Sequence, residues 1–271
     1  MKTLMTILCA SLVGSAAIAA DNCAAGKTLT DGVLTIATGN PAYYPWVMDD
    51  APESKQGFEA AVAYAVANEM GFADDAVTWV RTSFDEAIQP GAKNFDFNLQ
   101  QYSITPEREE TVDFSLPYYS SAMAILTTQS VAEKMGEPTM EALKSLLWGA
   151  GASHTGATMV GQVIAPDQDV LLYNDNTDVT AALQANQIDA ALFDLPTALY
   201  LSAVVVENGA LLGQFPADRS ENPDQFGLLM ADGSALKPCV DEAIQALSDS
   251  GELAEIEAEW LQSATGVPVI Q

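Results

Sequence analysis

Positive charge is what this sequence has least of. Ten Lys and Arg stand against 37 Asp and Glu, with a single His, for a formal net charge of -27 over 271 residues. A field of that sign repels nucleic acid and anionic lipid, because both are bound mainly through Lys and Arg, so nucleic-acid binding is excluded. The same charge keeps a protein dispersed in solution. Cysteine is scarce too, with residues only at positions 9, 23 and 239. Three Cys and one His are too few for a zinc ligand cluster, and neither a metal nor a cofactor is expected. Beyond the first twenty positions no run approaches the roughly 18 uninterrupted apolar residues of a membrane helix, so a soluble mature protein is expected.

The first twenty positions are different. Lys2 precedes a mostly apolar run through Leu4, Ile7, Leu8, Leu12 and Val13, which closes on small residues as far as Ala20. That is the pattern of a secretory signal peptide cleaved near Ala19 or Ala20. Cys9 leaves with it, and the even pair Cys23 and Cys239 then enters an oxidising compartment, which favours a disulfide. About 250 mature residues exceed the usual size of a single core, so two packed units are expected.

Along the chain, strand and helix signals alternate. Residues 32–38 (GVLTIAT) read as a strand stopped by Gly39, Asn40 and Pro41. A helix follows, with Phe58, Val62, Val66 and Met70 on one stripe and Gly71 as its stop. Residues 76–81 read as a strand, 83–88 as a short helix and 95–101 as a third strand. The order β-α-β-α-β predicts a parallel sheet covered on both faces. Downstream the pattern restarts, with helices over 140–147, 155–164, 178–186 and 195–203 and extended runs over 147–152, 169–173 and 190–193. The β-prone stretch 118–129 suits a segment crossing between the units. A strand over 226–230 and two amphipathic helices, one carrying Val240, Ile244 and Leu247 and the other Leu253, Ile256 and Trp260, complete the chain. A Cys23–Cys239 bond would return this tail to the first unit.

In such sheets, ligands bind beyond the carboxyl ends of the strands. Polar clusters stand there at 40–46, at 100–108 and at Asp194. The segments GVLTIATGNPAYYPW, GFEAAVAYAVANEMGF, SITPEREETVDFSLPYY and IDAALFDLPTALYL resemble family 3 of the bacterial extracellular solute-binding proteins, the polar amino-acid group that serves ABC importers. The resemblance runs from about Gly32 to Leu261. It implies an α/β, two-lobed periplasmic binding protein fold of type II, a Venus-flytrap clamp with a two-segment hinge near 120–124 and 222–225. Residues 21–120 and 224–271 would form lobe I, 121–223 lobe II, and 1–20 the signal peptide.

The resemblance also assigns roles. Arg108, in SITPER, would fork onto a ligand α-carboxylate, with Ser103 adding a hydroxyl and an N–H; a planar guanidinium matches a carboxylate bidentately. Asp194 would hold the ligand ammonium while N-capping the helix that follows. Tyr43 and Phe84 match an aromatic pair that sandwiches the ligand, whereas Tyr44 and Trp46 read as rim or core. Thr155 carries over from a Gly-Thr-Thr turn that is here Ser153-His154-Thr155-Gly156, and His154 replaces a threonine. Gln100 and Gln101 occupy positions that are often serine or glycine, and their larger amides should narrow the pocket. Asn40 stands where relatives binding cationic side chains carry an aspartate, and the only candidates for a second cation are His154 and Arg81. The resemblance thus points to a neutral polar amino acid, with an acidic one or a compatible solute such as ectoine as alternatives. An enzyme on the same clamp, such as a cyclohexadienyl dehydratase, is the other class to separate. The expected partner is an ABC importer permease, the expected compartment the periplasm, and the expected state a monomer.

Overall fold

A computed structural model describes residues 23–215, 217, 224–261 and 266–270. The expected signal peptide and the 222–223 part of the expected hinge lie outside these residues. Two five-stranded sheets divide the described chain. The first holds β1 (Leu34–Thr38), β2 (Val77–Arg81), β3 (Phe97–Asn98), β4 (Val112–Phe114) and, from much later in sequence, β12 (Leu229–Ala231), in the order β2-β1-β3-β12-β4. β1 forms because LTIAT is rich in β-branched residues and buries Leu34 and Ile36 completely on one face, followed by the buried Thr38 at its end.

Helix α1 (Phe58–Glu69) is buried nearly all round, covered by α8 (Lys237–Ser250) and α9 (Glu252–Trp260). Gly57, at φ 103°, starts it: a Cβ there would lie 2.6 Å from the Trp46 carbonyl oxygen, so no larger residue fits. Cys23 and Cys239 form the expected disulfide, with their Cα atoms 5.6 Å apart, and it ties the start of the described chain to α8. The tail therefore does return to the first sheet.

The second sheet holds β6 (Met123–Thr128), β7 (Trp148–Gly151), β8 (Leu171–Tyr173), β9 (Ala190–Asp194) and β10 (Gly209–Phe215), in the order β10-β6-β9-β7-β8. Around it lie α3 (Gln129–Met135), α4 (Met140–Lys144), α5 (Gly156–Met159), α6 (Asn176–Gln184) and α7 (Leu195–Tyr200), while the short α2 (Phe84–Ile88) belongs to the first lobe. The lobes are joined by β5 (Tyr119–Ser121) and β11 (Asp224–Phe226), which pair antiparallel with each other.

Several features differ from the sequence reading, and the strand expected over 226–230 is split between β11, which ends at Phe226, and β12, which starts at Leu229. Both sheets are mixed rather than parallel, because β6 and β12 enter antiparallel to their neighbours. Met123, at the hinge end of β6, lies opposite Asp194, where β9 ends; a strand arriving from the hinge must run against one that leaves towards it. The strand expected over 95–101 shrinks to Phe97–Asn98 as the chain turns through Gln101 at φ 52°. The unanticipated β10 carries a bulge between Leu211 and Gly213 that breaks the two-residue alternation. Residues 266–270, read with lobe I, lie against the second sheet instead: Gln214 N–H donates to the Pro268 carbonyl (2.8 Å), and Ile270 joins that lobe's core.

Candidate functional site

Between the lobes lies a cavity of about 400 Å³, and all ten residues singled out from the sequence line it. Arg108 stands at the junction. Its Nη1 donates to the Ser103 carbonyl of the first lobe and its Nη2 to the Ser153 carbonyl of the second, each at 2.8 Å. Both acceptors are neutral, and no salt bridge among the described residues involves Arg108. Burial lowers its pKa, while Asp224 opposes that shift. Ser103 and Thr155 also face one another across the lobes, with their hydroxyl oxygens 3.2 Å apart.

Asp194 ends β9 and caps α7, its Oδ1 accepting the Thr197 N–H at 2.8 Å. Burial pushes its carboxyl up to about 7 against the Thr197 hydrogen bonds, and Asp224 adds to the rise. Tyr43 stacks on Tyr200 with centroids 6.1 Å apart. Burial followed by the Asp194 charge raises its pKa, while neighbouring Asn176 and Thr197 oppose the rise.

Phe84 is already flanked by protein. Tyr102 packs 4.5 Å from its centroid, His154 stacks on it at 4.2 Å and 16°, and the Arg108 guanidinium carbon lies 5.3 Å from the ring centre. His154 thus brings an aromatic ring from the second lobe onto Phe84. Burial, and then the neighbouring Arg108, push the imidazole down to about 4, so it is uncharged at neutral pH. Its Nδ1 is buried without a hydrogen-bond partner among the described residues. Gly151 makes room for this ring, since any Cβ there would strike Nδ1. Trp46 is core: it is 1% exposed, packs edge-on against Phe58, Tyr119 and Phe226, and donates from Nε1 to Thr197 Oγ1 at 2.9 Å. Tyr44 lies on the rim, tilted against Tyr200. Arg81 is not in the cavity lining; it is held by Asp50 and by the Gly39 carbonyl.

The sequence reading missed Glu59 and Asp224. Glu59 is 1% exposed, lines the cavity, and accepts the Gln101 N–H on Oε1 (2.8 Å), the Gln101 Nε2 on Oε2 (2.5 Å) and the Tyr118 hydroxyl on Oε1. Burial pushes it, too, up to about 7. A carboxylate in the first turn of a helix that is then apolar as far as Ala67, apart from the Tyr64 hydroxyl, was the available signal. Asp224 left no such signal, because only the hinge pairing brings it beside Ser103 and Arg108.

The raised carboxyls of Glu59 and Asp194 make stability depend on pH in a definite sense. A group whose pKa is higher folded than unfolded binds more protons in the native state, so its contribution is present below the unfolded value and is lost as pH rises through about 7. Unliganded protein is expected to melt higher at about pH 5 than at about pH 8. Asp194→Asn, which can still cap α7, should flatten that slope; an unchanged slope in thermal melts would count against a buried, protonatable Asp194.

Comparison with known proteins adds the lineage. L-cystine-binding protein TcyJ of Escherichia coli is 25% identical over 266 residues, covering 96% of this chain and 94% of that protein. Cyclohexadienyl dehydratase of Pseudomonas aeruginosa is 24% identical over 263 residues, covering 94% of this chain and 92% of the enzyme. A solved structure of an ancestral arginine-binding protein bound to arginine superposes with a TM-score of 0.67 at 22% identity, over 85% of this chain and 98% of that one, and shows the same fold. The profile of the bacterial extracellular solute-binding proteins, family 3, matches residues 34–263, and with that match spanning both lobes and the cavity between them, the chain belongs to this family.

Proposed function

We propose that this protein is the substrate-binding component of an amino-acid ABC importer, working in the periplasm without catalysis. The observation that carries the reading is one cavity with a guanidinium, Arg108, and a carboxyl, Asp194, contributed by different lobes. A zwitterion offers opposite charges at that spacing of roles: α-carboxylate to Arg108 and Ser103, ammonium to Asp194. Two of the five guanidinium N–H groups face backbone carbonyls, which leaves three donors for a carboxylate. Relatives named for cystine and arginine binding support the amino-acid class.

The neutral polar preference rests on Asn40, which lines the cavity where a side-chain carboxylate would favour a cation. A dehydratase reading has one observation behind it, the likeness to the Pseudomonas enzyme. The test is a thermal-shift screen of the amino acids followed by NMR of the mixture. The expected outcome is a raised melting temperature with a free amino acid, which remains chemically unaltered. Conversion of the ligand would establish the enzyme instead.

Because the binding groups sit on both lobes, ligand should favour the closed clamp. Moving a two-state equilibrium from mostly open to mostly closed takes about 5.5 kcal/mol of differential affinity, which micromolar binding at about 8 kcal/mol accommodates. The rotation would be absorbed at the β5–β11 pair, between lobe I (residues 21–120 and 224–261) and lobe II (residues 121–223, with 266–270 packed against it). Small-angle scattering should show the radius of gyration falling on saturation. Identical, open scattering with and without ligand would end the clamp mechanism.

A further inference from the structure

We propose that Glu59 and Gln101 act together as the specificity device of the cleft, holding the Gln101 carbonyl oxygen towards the cavity so that it selects ligands whose side chain ends in a hydrogen-bond donor over those ending in a carboxylate. This rests on the amino-acid reading above and narrows it.

The argument begins with backbone geometry. Gln101 sits at φ 52°, the left-handed region that an L side chain other than Asn or Asp adopts only when held there. Glu59 does the holding. Its two oxygens take the backbone N–H and the side-chain Nε2 of this one residue, so the carboxylate clasps Gln101 at both ends of its side chain. A carboxylate only accepts hydrogen bonds, and it therefore fixes which end of the Gln101 amide turns towards it: the NH₂ faces Glu59 and Oε1 is left. Among the described residues no donor reaches that oxygen, and Gln101 is part of the cavity lining.

Its neighbour is set the same way. Gln100 Nε2 donates to Thr82 Oγ1 at 2.8 Å and to Asn98 Oδ1 at 3.2 Å, while its Oε1 lies beside Gly39 at the cavity wall. Both amides thus spend NH₂ donors on protein acceptors, which keeps their oxygens as the groups left for a ligand. The charges around them point the same way. Glu59, Asp85, Asp175, Asp194 and Asp224 line the cavity, and among the described residues Arg108 is its only Lys or Arg. Two other described cation candidates do not neutralise a second ligand carboxylate: Arg81 is engaged by Asp50 outside the lining, and the His154 imidazole is uncharged at neutral pH. A ligand carboxylate beyond the one on Arg108 would meet these carboxyls and, beside Gln100 and Gln101, amide oxygens; the lining's Asn and hydroxyl groups offer it donors but no charge. An amide, guanidinium, ammonium or imidazole N–H would be accepted by the carboxyls and amide oxygens. A site whose polar groups are left unpaired by the wrong ligand discriminates strongly, by four to five orders of magnitude at the upper end.

The experiment is calorimetry at about pH 8 with the common amino acids as probes, using glutamine against glutamate and asparagine against aspartate as pairs of equal length. The expected result is that the tightest ligand ends in an N–H donor and that the better-bound amide exceeds its acid by at least about thirtyfold. Glu59→Gln can offer an NH₂ to Gln101 and release its amide to turn over, and should cut that ratio by about tenfold. Gln101→Met, which removes the acceptor while keeping side-chain length, should cut it as well and covers the case in which Glu59→Gln fails to fold. If the tightest ligand ends in a carboxylate, or if both variants fold and keep the wild-type ratio, the proposal is overturned. If no amino acid binds at all, the amino-acid reading itself fails, an outcome distinct from binding without the expected preference.

Discussion

Arg108→Ala is expected to weaken binding of the cognate amino acid by at least about thirtyfold, some 2 kcal/mol, while leaving the fold intact. Among the described residues the guanidinium is the only Lys or Arg in the cavity lining, so no other lining cation described there can replace its charge. Charged hydrogen bonds contribute about 1.5–3 kcal/mol each, and a bidentate grip makes two. Asp194→Ala should cost a similar amount through the ammonium, together with some stability through loss of the α7 cap, for which about 1 kcal/mol is typical. Calorimetry on both variants, with thermal melts as the folding control, decides the matter. Wild-type affinity in Arg108→Ala would remove the carboxylate assignment and the amino-acid reading with it. Arg108 also bonds Ser153 across the lobes, so the same substitution should loosen the closed state by removing a link that does not involve ligand.

The second large effect concerns the disulfide. Cys23 and Cys239 are 216 residues apart, and closing so long a loop is worth about 5 kcal/mol in the chain-entropy account, a figure that engineered and native bridges often undershoot. The bond also secures α8, whose Val240, Ile244 and Leu247 are buried in the core shared with α1. Replacing both cysteines by serine is expected to lower the urea midpoint by an amount corresponding to roughly 2–5 kcal/mol. Intact-mass measurement after thiol alkylation without reductant provides the companion check: the exported protein should take up no label. Two labelled cysteines, or an unchanged midpoint in the double variant, would show that the bond is not formed or does not constrain the chain.

The family and its clamp were legible because their signals are local. β1 ends at Gly39-Asn40-Pro41, α1 keeps its i+4 stripe, and SITPER and the strand-to-acid step at Asp194 are short runs whose chemistry is contained in their own residues. The cysteine pair could be inferred from number and compartment alone. The remainder depended on which segments meet. β10 gave no alternating signal because its bulge breaks the period, and sheet polarity follows from where β6 and β12 enter, which no single segment encodes. The return of residues 266–270 to the second lobe is likewise a matter of partners, decided by the bonds to Gln214.

The same division runs through the site. Sequence determined the ten candidate residues and the fold that gathers them, since residue type at a strand's carboxyl end constrains what a side chain there can do. Tertiary structure alone decided what each is already doing. His154 is stacked on Phe84 and uncharged, Arg108 is bonded to carbonyls of both lobes, and Glu59 clasps Gln101. Apart from the local Arg108–Ser103 bond, these charges, donor directions and ring contacts arise from neighbours 42 to 70 positions apart. A pattern read along one chain holds no information on the burial that sets a pKa or on the partner that fixes an amide, because both are properties of the packed interior rather than of the residue.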